Sequence, residues 1–239
     1  MKSRLDQALV VRKLASTRSQ AENFIKLGKV LVDGEVTTKP ARFVADDVQI
    51  ELVGDKYVSR AGLKLASVAE QLGLDFADKT VLDVGSSTGG FTDYALQHGA
   101  EKVIAVDVGT DQLAPSLRGN PRIELHEKTD VRDFATDQPV DLILMDVSFI
   151  SSREILPHLA EKLMSERTQL VLTFKPQFEI GAKSKNSGVV KNDTQRREVM
   201  KDFETWAKQY FVIIAKRDSE VAGQKGNLER FYLLAPVRR

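Results

Sequence analysis

The sequence has no cysteine among its 239 residues and only three histidines, His98, His126 and His158. The lack of cysteine excludes disulfides, iron–sulfur clusters, thiolate zinc sites and a cysteine nucleophile. So few histidines do not favour a metal site built from several imidazoles. No stretch approaches the ~20 apolar residues that a membrane span needs, and charges interrupt the first fifteen residues, so no secretory signal is predicted. We therefore expect a cytoplasmic protein.

An excess of charge of either sign is also missing, because 35 basic and 34 acidic residues leave a net charge of +1. Taken alone, this balance argues against a partner as acidic as a nucleic acid. The average hides an asymmetry, since residues 1–42 contain nine basic and four acidic side chains. This segment carries +5 and the rest of the chain −4. A basic front end on a mildly acidic body indicates a binding module joined to a second domain.

Residues 1–54 are predicted to form a small α+β module that begins with a short helix. Ser19-Gln20-Ala21-Glu22 has the form of a capping box, which would open a second helix. Asp33-Gly34 lies between β-branched residues, a pattern typical of a hairpin turn. A further strand is predicted over residues 48–53, and residues 55–60 are expected to be a linker.

Over residues 61–239 apolar runs alternate with helical segments. This alternation predicts an α/β, Rossmann-like fold whose mostly parallel seven-stranded sheet carries helices on both faces. A long helix is expected over residues 194–209, and a polar loop over residues 181–186. The predicted strands cover residues 80–84, 103–106, 123–125, 142–145, 170–174, 211–215 and 231–235.

The residues after the first of these strands indicate the ligand, because such sheets bind ligands beyond the carboxyl ends of their strands. Asp83 precedes a loop with the pattern G-x-x-x-G-G that opens a helix. A pyrophosphate site would have G-x-G-x-x-G, and no G-K-[ST] marks a nucleotide triphosphatase. A carboxylate before the loop suits a cation, and S-adenosylmethionine offers a sulfonium and an ammonium. The loop residues expected to bind it are Gly85, Ser86, Ser87, Thr88, Gly89, Gly90 and Phe91.

Two more strand-end carboxylates extend the predicted cofactor site. Asp107, followed by Val108, ends the second strand, where a carboxylate can accept both hydroxyls of a ribose. Asp130 follows the third strand and is predicted to reach the adenine amino group. Either residue alone could be a turn or capping residue, but together with Asp83 and the glycine loop they favour a cofactor site.

Two lysines and two carboxylates are expected at the same edge of the sheet. Asp146 and Lys175 end the fourth and fifth strands, Glu229 precedes the last strand, and Lys64 lies on the helix before the sheet. Methylating a hydroxyl requires a base, and a lysine can serve where burial or a neighbouring cation favours its neutral form. We expect Lys64 to supply that cation to Lys175, with Asp146, which also borders the cofactor, and Glu229 holding the ammonium groups. Ordinary salt bridges at loop ends are the alternative.

These residues resemble the TlyA family, the haemolysin-like ribosomal RNA 2′-O-methyltransferases. The segments that carry the resemblance are Arg4-Leu5-Asp6, residues 16–22, Gly28-Lys29-Val30, Val32-Asp33-Gly34, Tyr57-Val58-Ser59-Arg60, residues 83–91, residues 146–151, residues 175–179 and residues 225–229. The resemblance implies an S4-type RNA-binding domain over residues 1–54 and an FtsJ-like, S-adenosylmethionine-dependent methyltransferase fold over residues 61–239. It also implies a Lys-Asp-Lys-Glu tetrad on Lys64, Asp146, Lys175 and Glu229, which would methylate cytidine riboses of 16S or 23S ribosomal RNA.

The basic residues then have an expected partner, the phosphates of ribosomal RNA or of ribosomal subunits. They are Arg4, Arg12, Lys13, Arg18, Lys26, Lys29 and Arg60, although a solvated helix face explains any single one equally well. A membrane-active haemolysin stays an alternative, but it needs an apolar or strongly amphipathic segment that the sequence does not show. A non-catalytic RNA-binding protein is a second alternative, against which the glycine loop and the tetrad both argue. The parallel-sheet pattern disfavours a pseudouridine synthase.

Overall fold

The computed structural model describes residues 2–26, 28–52, 56–180, 193–221 and 227–237. The chain divides into two compact units, Met1–Lys56 and Tyr57–Arg239. Residue 55 of the expected linker, the polar loop at residues 181–186 and residues 225–226 of the last quoted segment lie outside the described residues.

The first unit is a small α+β domain with two short antiparallel sheets. The hairpin at Asp33-Gly34 is confirmed, because Val32 pairs with Glu35 and both turn residues have positive φ. The sequence did not predict the antiparallel pair β1–β4, which is only three residues long on each side. The other sheet has three strands in the order β3-β2-β5. The elements are β1 (Lys2–Arg4), α1 (Leu5–Val11), α2 (Arg18–Lys26), β2 (Val30–Val32), β3 (Glu35–Val36), β4 (Phe43–Ala45) and β5 (Ile50–Leu52).

The start of helix α2 differs from the prediction by two residues. The Oγ1 of Thr17 accepts a hydrogen bond from the amide of Gln20 at 3.1 Å, and the Oε1 of Gln20 accepts one from the amide of Ser16 at 2.7 Å. Thr17 therefore caps the helix, Gln20 reaches back to Ser16, one residue before the cap, and the prediction of a capping box at Ser19–Glu22 was wrong. Both quartets fit the S/T-x-x-E/Q pattern, so the pattern alone could not choose between them.

The second unit contains a seven-stranded sheet of order β11-β12-β10-β9-β6-β7-β8. All its pairings are parallel except the two made by β12, which runs antiparallel to β10 and β11. The predicted fold class and all seven predicted strands are confirmed. The strands are β6 (Thr80–Val84), β7 (Lys102–Val106), β8 (Ile123–His126), β9 (Leu142–Met145), β10 (Gln169–Phe174), β11 (Phe211–Asp218) and β12 (Arg230–Pro236).

Helices cover both faces of this sheet, because successive strand residues bury their side chains on opposite sides. Val81 packs in one core with Leu65 of α3, whereas Leu82 packs in another with Phe203 of α7. The helices are α3 (Arg60–Ala69), α4 (Gly90–Gln97), α5 (Leu156–His158), α6 (Pro176–Glu179) and α7 (Asp193–Ala207), with a 3₁₀ turn at Ser152–Glu154 and a π-helical turn at Leu159–Leu163. Within the described ranges, no helix is long and apolar enough to cross a membrane.

Helices α3 and α4 approach closely at Gly62, just before the helical turn that carries Lys64. A Cβ added at Gly62 would lie 2.5 Å from the Cβ of Tyr57 and 2.9 Å from the carbonyl oxygen of Gly90. We expect the Gly62→Ala variant to lose about 1–3 kcal/mol of unfolding free energy through overpacking. Helix propensity alone predicts a gain of about 1 kcal/mol. Urea unfolding measures whether the free energy of unfolding falls or rises in this variant. A rise would contradict the expectation and show that α3 and α4 can move apart to admit a methyl group.

Candidate active site

Asp83 lies inside strand β6, 1% exposed, directly beneath the glycine loop. Its Oδ2 accepts hydrogen bonds from the amide and the hydroxyl of Thr92, at 2.9 and 2.6 Å, which hold the first turn of α4. Its Oδ1 is buried and accepts no hydrogen bond from any residue that the structure describes. A buried carboxylate oxygen without a donor is costly, so this atom is placed to receive a donor from a ligand.

The loop after Asp83 turns sharply into helix α4 at Gly89. Gly89 has φ +87°, in the left-handed region, and a Cβ there would lie 2.6 Å from Leu117 and 2.7 Å from Leu113. Glycine is required at this position for both conformational and packing reasons. The amide of Gly85 donates to the carbonyl of Val106 at 2.9 Å, which ties the loop to the end of the neighbouring strand β7.

Asp107 follows β7 and joins the glycine loop to its own loop. Its Oδ2 accepts from the amide of Ser87 at 2.8 Å, and its Oδ1 accepts from the amide of Gly109 at 2.6 Å. Each carboxylate oxygen keeps a further lone pair, which two vicinal hydroxyls of a ribose could use. Gln112, which the sequence did not single out, accepts from the hydroxyl of Ser87 at 3.0 Å and completes this corner. Val108 is exposed beside it.

Asp130 is occupied by its neighbour Arg132. The guanidinium of Arg132 donates to both carboxylate oxygens, at 3.0 and 2.5 Å, and its amide donates at 2.9 Å. These bonds lower the pKa of Asp130. An adenine amino group would have to share the carboxylate with Arg132, so the adenine contact of Asp130 stays a prediction.

The four residues of the predicted tetrad form two buried ion pairs. The ammonium of Lys64 lies 2.6 Å from Glu229, and that of Lys175 lies 2.7 Å from Asp146. The four side chains are only 5–12% exposed. Lys175 also donates to the hydroxyl of Ser148 at 2.9 Å and to the carbonyl of Asp146 at 3.4 Å.

Strand register brings the two ion pairs to one edge of the sheet. Asp146 directly follows β9 and Lys175 directly follows β10, and these two strands run parallel. Because β12 is antiparallel, its start lies at the same edge as the ends of the parallel strands. Phe174 pairs with Arg230, so Glu229 adjoins Lys175 where β10 and β12 leave the ladder.

Electrostatics at this edge favour a positively charged ligand. Burial raises the pKa of Asp83 to about 7; hydrogen bonds from Thr92 oppose that rise, and the negative charges of Asp146 and Asp107 add to it. Three strand-end carboxylates therefore repel one another across the edge. A bound cation would relieve this repulsion, whereas a phosphate would increase it.

Comparison with known proteins identifies the family. The model for FtsJ-like methyltransferases matches residues 57–235, and the model for the S4 domain matches residues 3–50. The chain is 41% identical over 192 residues to the 23S rRNA (cytidine-2′-O)-methyltransferase TlyA of Campylobacter jejuni, covering 79% of this chain and 75% of the relative. It is 37% identical over 241 residues to the 16S/23S rRNA (cytidine-2′-O)-methyltransferase TlyA of Mycobacterium tuberculosis, covering 98% and 90%. The chain belongs to the TlyA family of FtsJ-like methyltransferases.

A solved structure of a hemolysin candidate from Streptococcus thermophilus has the same architecture. It superimposes with a TM-score of 0.73 at 35% identity and covers 99% of this chain and 89% of its own. The predicted family and fold class are thus confirmed. As an FtsJ-like methyltransferase of this fold, the chain depends on S-adenosylmethionine.

The glycine-loop residues fit that cofactor chemically. The Oδ1 of Asp83 and the buried hydroxyl of Ser86, neither of which has a hydrogen-bond partner among the described residues, lie where the loop meets the strand ends. Both can engage the ammonium and carboxylate of the methionine part, and Asp107 can accept the ribose hydroxyls. When bound, S-adenosylmethionine supplies an electrophilic methyl group on a sulfonium.

Two features of this methyltransferase site were not predicted from the sequence. Asp218 accepts hydrogen bonds from Arg230 at 2.7 Å and from Arg196 at 2.8 Å. The bond to Arg230, the first residue of β12, anchors the start of that strand beside Glu229. Phe149 is 92% exposed with φ +68°, and its ring centroid lies 5.3 Å from that of Phe178. An aromatic residue three positions after Asp146 was the available signal in the sequence, but the exposure of its ring cannot be read from the sequence.

Several predicted RNA-binding residues are engaged inside the S4 unit. Arg4 and Arg18 both donate to the fully buried Asp6, at 2.8 and 3.0 Å, and these bonds lower its pKa to about 2. Arg12 donates to the carbonyls of Val48 and Asp46 at 2.6 and 2.8 Å. Replacing these arginines would therefore disturb the fold as well as any RNA contact.

The predicted lysines are placed differently from the arginines. Lys13 and Lys26 are exposed, and Lys26 lies 3.7 Å from Glu22. The ammonium of Lys29 lies 5.7 Å from the ring centroid of Phe24. Arg60 belongs to the methyltransferase unit, where it begins α3. RNA contact by this set of basic residues stays a prediction.

Proposed function

We propose that this chain transfers the methyl group of S-adenosylmethionine to the ribose 2′-hydroxyl of a cytidine in 16S or 23S ribosomal RNA. The observation that carries the proposal is the pair of buried lysine–carboxylate contacts beside a cation-binding loop, Lys175–Asp146 and Lys64–Glu229. Relatives named for cytidine 2′-O-methylation support the choice of nucleoside and of the acceptor oxygen.

Lys175 is the proposed base. The 2′-oxygen forms a bond to the methyl carbon as the carbon–sulfur bond breaks, and the electron pair of that bond goes to sulfur. The 2′-hydroxyl proton passes to the Nζ of Lys175, which must reach the reaction as a neutral amine. Asp146 and Ser148 orient that nitrogen, and the Lys64–Glu229 pair supplies a second ammonium at the same edge of the sheet.

We propose that residues 1–54 bind the ribosomal RNA, residues 55–60 link the domains and residues 61–239 carry out methyl transfer. The excess of basic residues over acidic ones in the first segment supports this division, because phosphate contacts supply affinity without specifying the nucleotide. A ribosomal substrate also supports the cytoplasm as the site of action.

The deciding experiment is methyl transfer in vitro to ribosomal subunits from a strain that lacks this enzyme. We expect incorporation into one or both subunits, with mass spectrometry locating the methyl group on the 2′-oxygen of a cytidine. Naked 16S and 23S RNA serve as parallel substrates. If no subunit and no RNA accepts a methyl group, the proposal fails.

A structural relative is described as a hemolysin candidate, so the second function to consider is lysis of cells. Purified protein added to erythrocytes tests it directly, with and without an intact Lys175. Lysis that persists in a methyltransferase-dead variant would establish a separate membrane activity. We expect no lysis above the level of buffer.

Phe149 is proposed to stack against a base next to the target ribose. The exposed ring of Phe149 lies three residues after Asp146, in the left-handed region, and among the described aromatic residues only Phe178 packs against it. Since one stacked base contributes about 1–3 kcal/mol, we expect Phe149→Ala to raise the KM for RNA by roughly 5–150-fold. Affinity for S-adenosylmethionine should not change, and Phe149→Tyr should retain most of the RNA affinity. An unchanged KM in the alanine variant would remove Phe149 from the substrate site.

A further inference from the structure

Glu179, the last residue of helix α6, binds the loop that follows β9 although neither sequence pattern nor family comparison assigns it a role. We call residues 146–152 the β9 loop; it begins at Asp146 and contains Phe149. The carboxylate of Glu179 accepts three hydrogen bonds from the far end of this loop. They come from the hydroxyl of Ser151 at 2.6 Å, the amide of Ser152 at 2.7 Å and the hydroxyl of Ser152 at 2.7 Å.

The β9 loop is therefore attached to the segment after β10 at both of its ends. At the near end, Lys175 contacts Asp146 and Ser148. At the far end, Glu179 holds Ser151 and Ser152. Lys175 and Glu179 belong to one short stretch, since α6 spans Pro176–Glu179 and begins immediately after Lys175.

Between these two attachments the chain adopts a conformation that it would not keep unaided. Phe149 has φ +68°, which is unfavourable for a bulky side chain, and its ring contacts only the neighbouring ring of Phe178 among the aromatic residues described. Such a conformation persists where the surroundings fix it from both sides. The bonds of Glu179 provide the second of the two fixed points.

A capping role is the simpler explanation for the same bonds. The amide of Ser152 is the first of the 3₁₀ turn Ser152–Glu154, and acidic groups commonly stabilise such ends. However, Ser151 already caps this turn by accepting from the amide of Arg153 at 3.3 Å. The hydroxyls of both serines also bond to Glu179, which exceeds what a cap requires.

We propose that Glu179 is a positioning residue for methyl transfer, which fixes the β9 loop so that Asp146 and Phe149 present the RNA ribose to Lys175. This inference rests on the proposed function, because the loop positions a substrate only if the chain methylates RNA. It gives the carboxylate a role on the RNA side of the site, because Asp146, which is predicted also to border the cofactor, stays paired with Lys175 when Glu179 is replaced.

The test compares Glu179→Ala, Glu179→Gln and the exposed-site control Glu101→Ala, each assayed well below its melting temperature. Glutamine keeps one oxygen to accept from Ser152, and its amide can donate to the hydroxyl of Ser151. We expect Glu179→Ala to lower kcat/KM for ribosomal subunits by about 10–100-fold, since hydrogen bonds to a charged group are lost. Glutamine should recover most of this loss, and calorimetry should give an unchanged Kd for S-adenosylmethionine in all three variants.

Hydrogen exchange at the amide of Ser152 supplies a readout that needs no activity, and we expect it to accelerate in Glu179→Ala only. If the alanine variant melts lower but keeps wild-type kcat/KM, Glu179 is a cap and the positioning role is overturned. A weakened cofactor affinity would likewise overturn it. If wild type methylates no RNA, the proposed function fails and the positioning role falls with it, whereas unaccelerated exchange overturns this inference alone.

Discussion

Methionine at position 175 is expected to stop methyl transfer while leaving the cofactor bound. General base catalysis contributes about 10²–10⁴-fold to a rate, so Lys175→Met should lower kcat by at least this factor. Methionine is of similar length and apolar, and it removes the proton acceptor without opening a large cavity. Lys175 contacts neither Asp83 nor Asp107, so S-adenosylmethionine should still bind. Because Asp146, which is predicted also to border the cofactor, loses its partner in this variant, calorimetry should give a Kd close to that of wild type rather than identical to it.

Lys175→Arg separates a base from a fixed positive charge. Arginine can keep the ion pair with Asp146, but its guanidinium does not deprotonate in proteins. If Lys175 accepts the 2′-hydroxyl proton, both variants are inactive. If its charge alone matters, the arginine variant retains much of the wild-type rate and the proposed base is wrong. Lys64→Arg is the matched control, since Lys64 is proposed to supply only a neighbouring charge.

The strands and the carboxylates at their ends could be predicted because, in a parallel sheet, both are visible in short stretches of sequence. A buried parallel strand is a short apolar run, and the residue that follows it lies at the ligand-binding edge. Asp107, Asp146 and Lys175 each occupy such a position, and Asp83 lies one residue before the end of its strand, so their convergence follows from strand order alone. Glu229 was also placed at this edge although it precedes its strand, and it lies there because β12 runs antiparallel, which no local pattern indicates.

What the sequence could not provide depends on contacts between distant segments. Nothing in the residues around Glu179 indicates that it binds Ser151 and Ser152, because the link forms only when β9 and β10 are neighbours. The same holds for Asp218, which joins β11 to Arg196 of α7 and Arg230 of β12. In the first unit, the ladder β1–β4 is too short to leave a period-two pattern.

Replacing Asp83 with asparagine is expected to weaken S-adenosylmethionine binding by about 10–150-fold, which corresponds to about 1.5–3 kcal/mol for a charge-assisted hydrogen bond. Asparagine retains the shape and can still accept from Thr92, so α4 should stay in place. Asp75→Asn, an exposed aspartate away from the strand ends, controls for the change in net charge. Equal affinity in Asp83→Asn and wild type would remove Asp83 from the cofactor site.

The pH dependence of binding should then separate Asp83 from its neighbours. Its pKa of about 7, set mainly by burial, means that the carboxyl group of the ligand-free protein is largely neutral at pH 6. A cationic ligand must displace that proton, so the Kd of wild type should rise about tenfold for each pH unit below 7. Calorimetry in buffers of different ionisation enthalpy should detect proton release of up to one proton on binding at pH 6. Both effects should vanish in Asp83→Asn.

The same raised pKa predicts that the ligand-free protein becomes less stable as the pH rises, whereas cofactor binding becomes tighter. The folded state binds the Asp83 proton more tightly than the unfolded chain, whose carboxyl has the ordinary value of 3.8. The stabilisation from this proton is complete below pH 4 and is lost as the pH rises through 7. The unfolding free energy of Asp83→Asn, measured relative to wild type, should therefore increase between pH 5 and 8. Saturating S-adenosylmethionine should reverse that ranking, because the carboxylate that destabilises the empty site is the group that binds the cation.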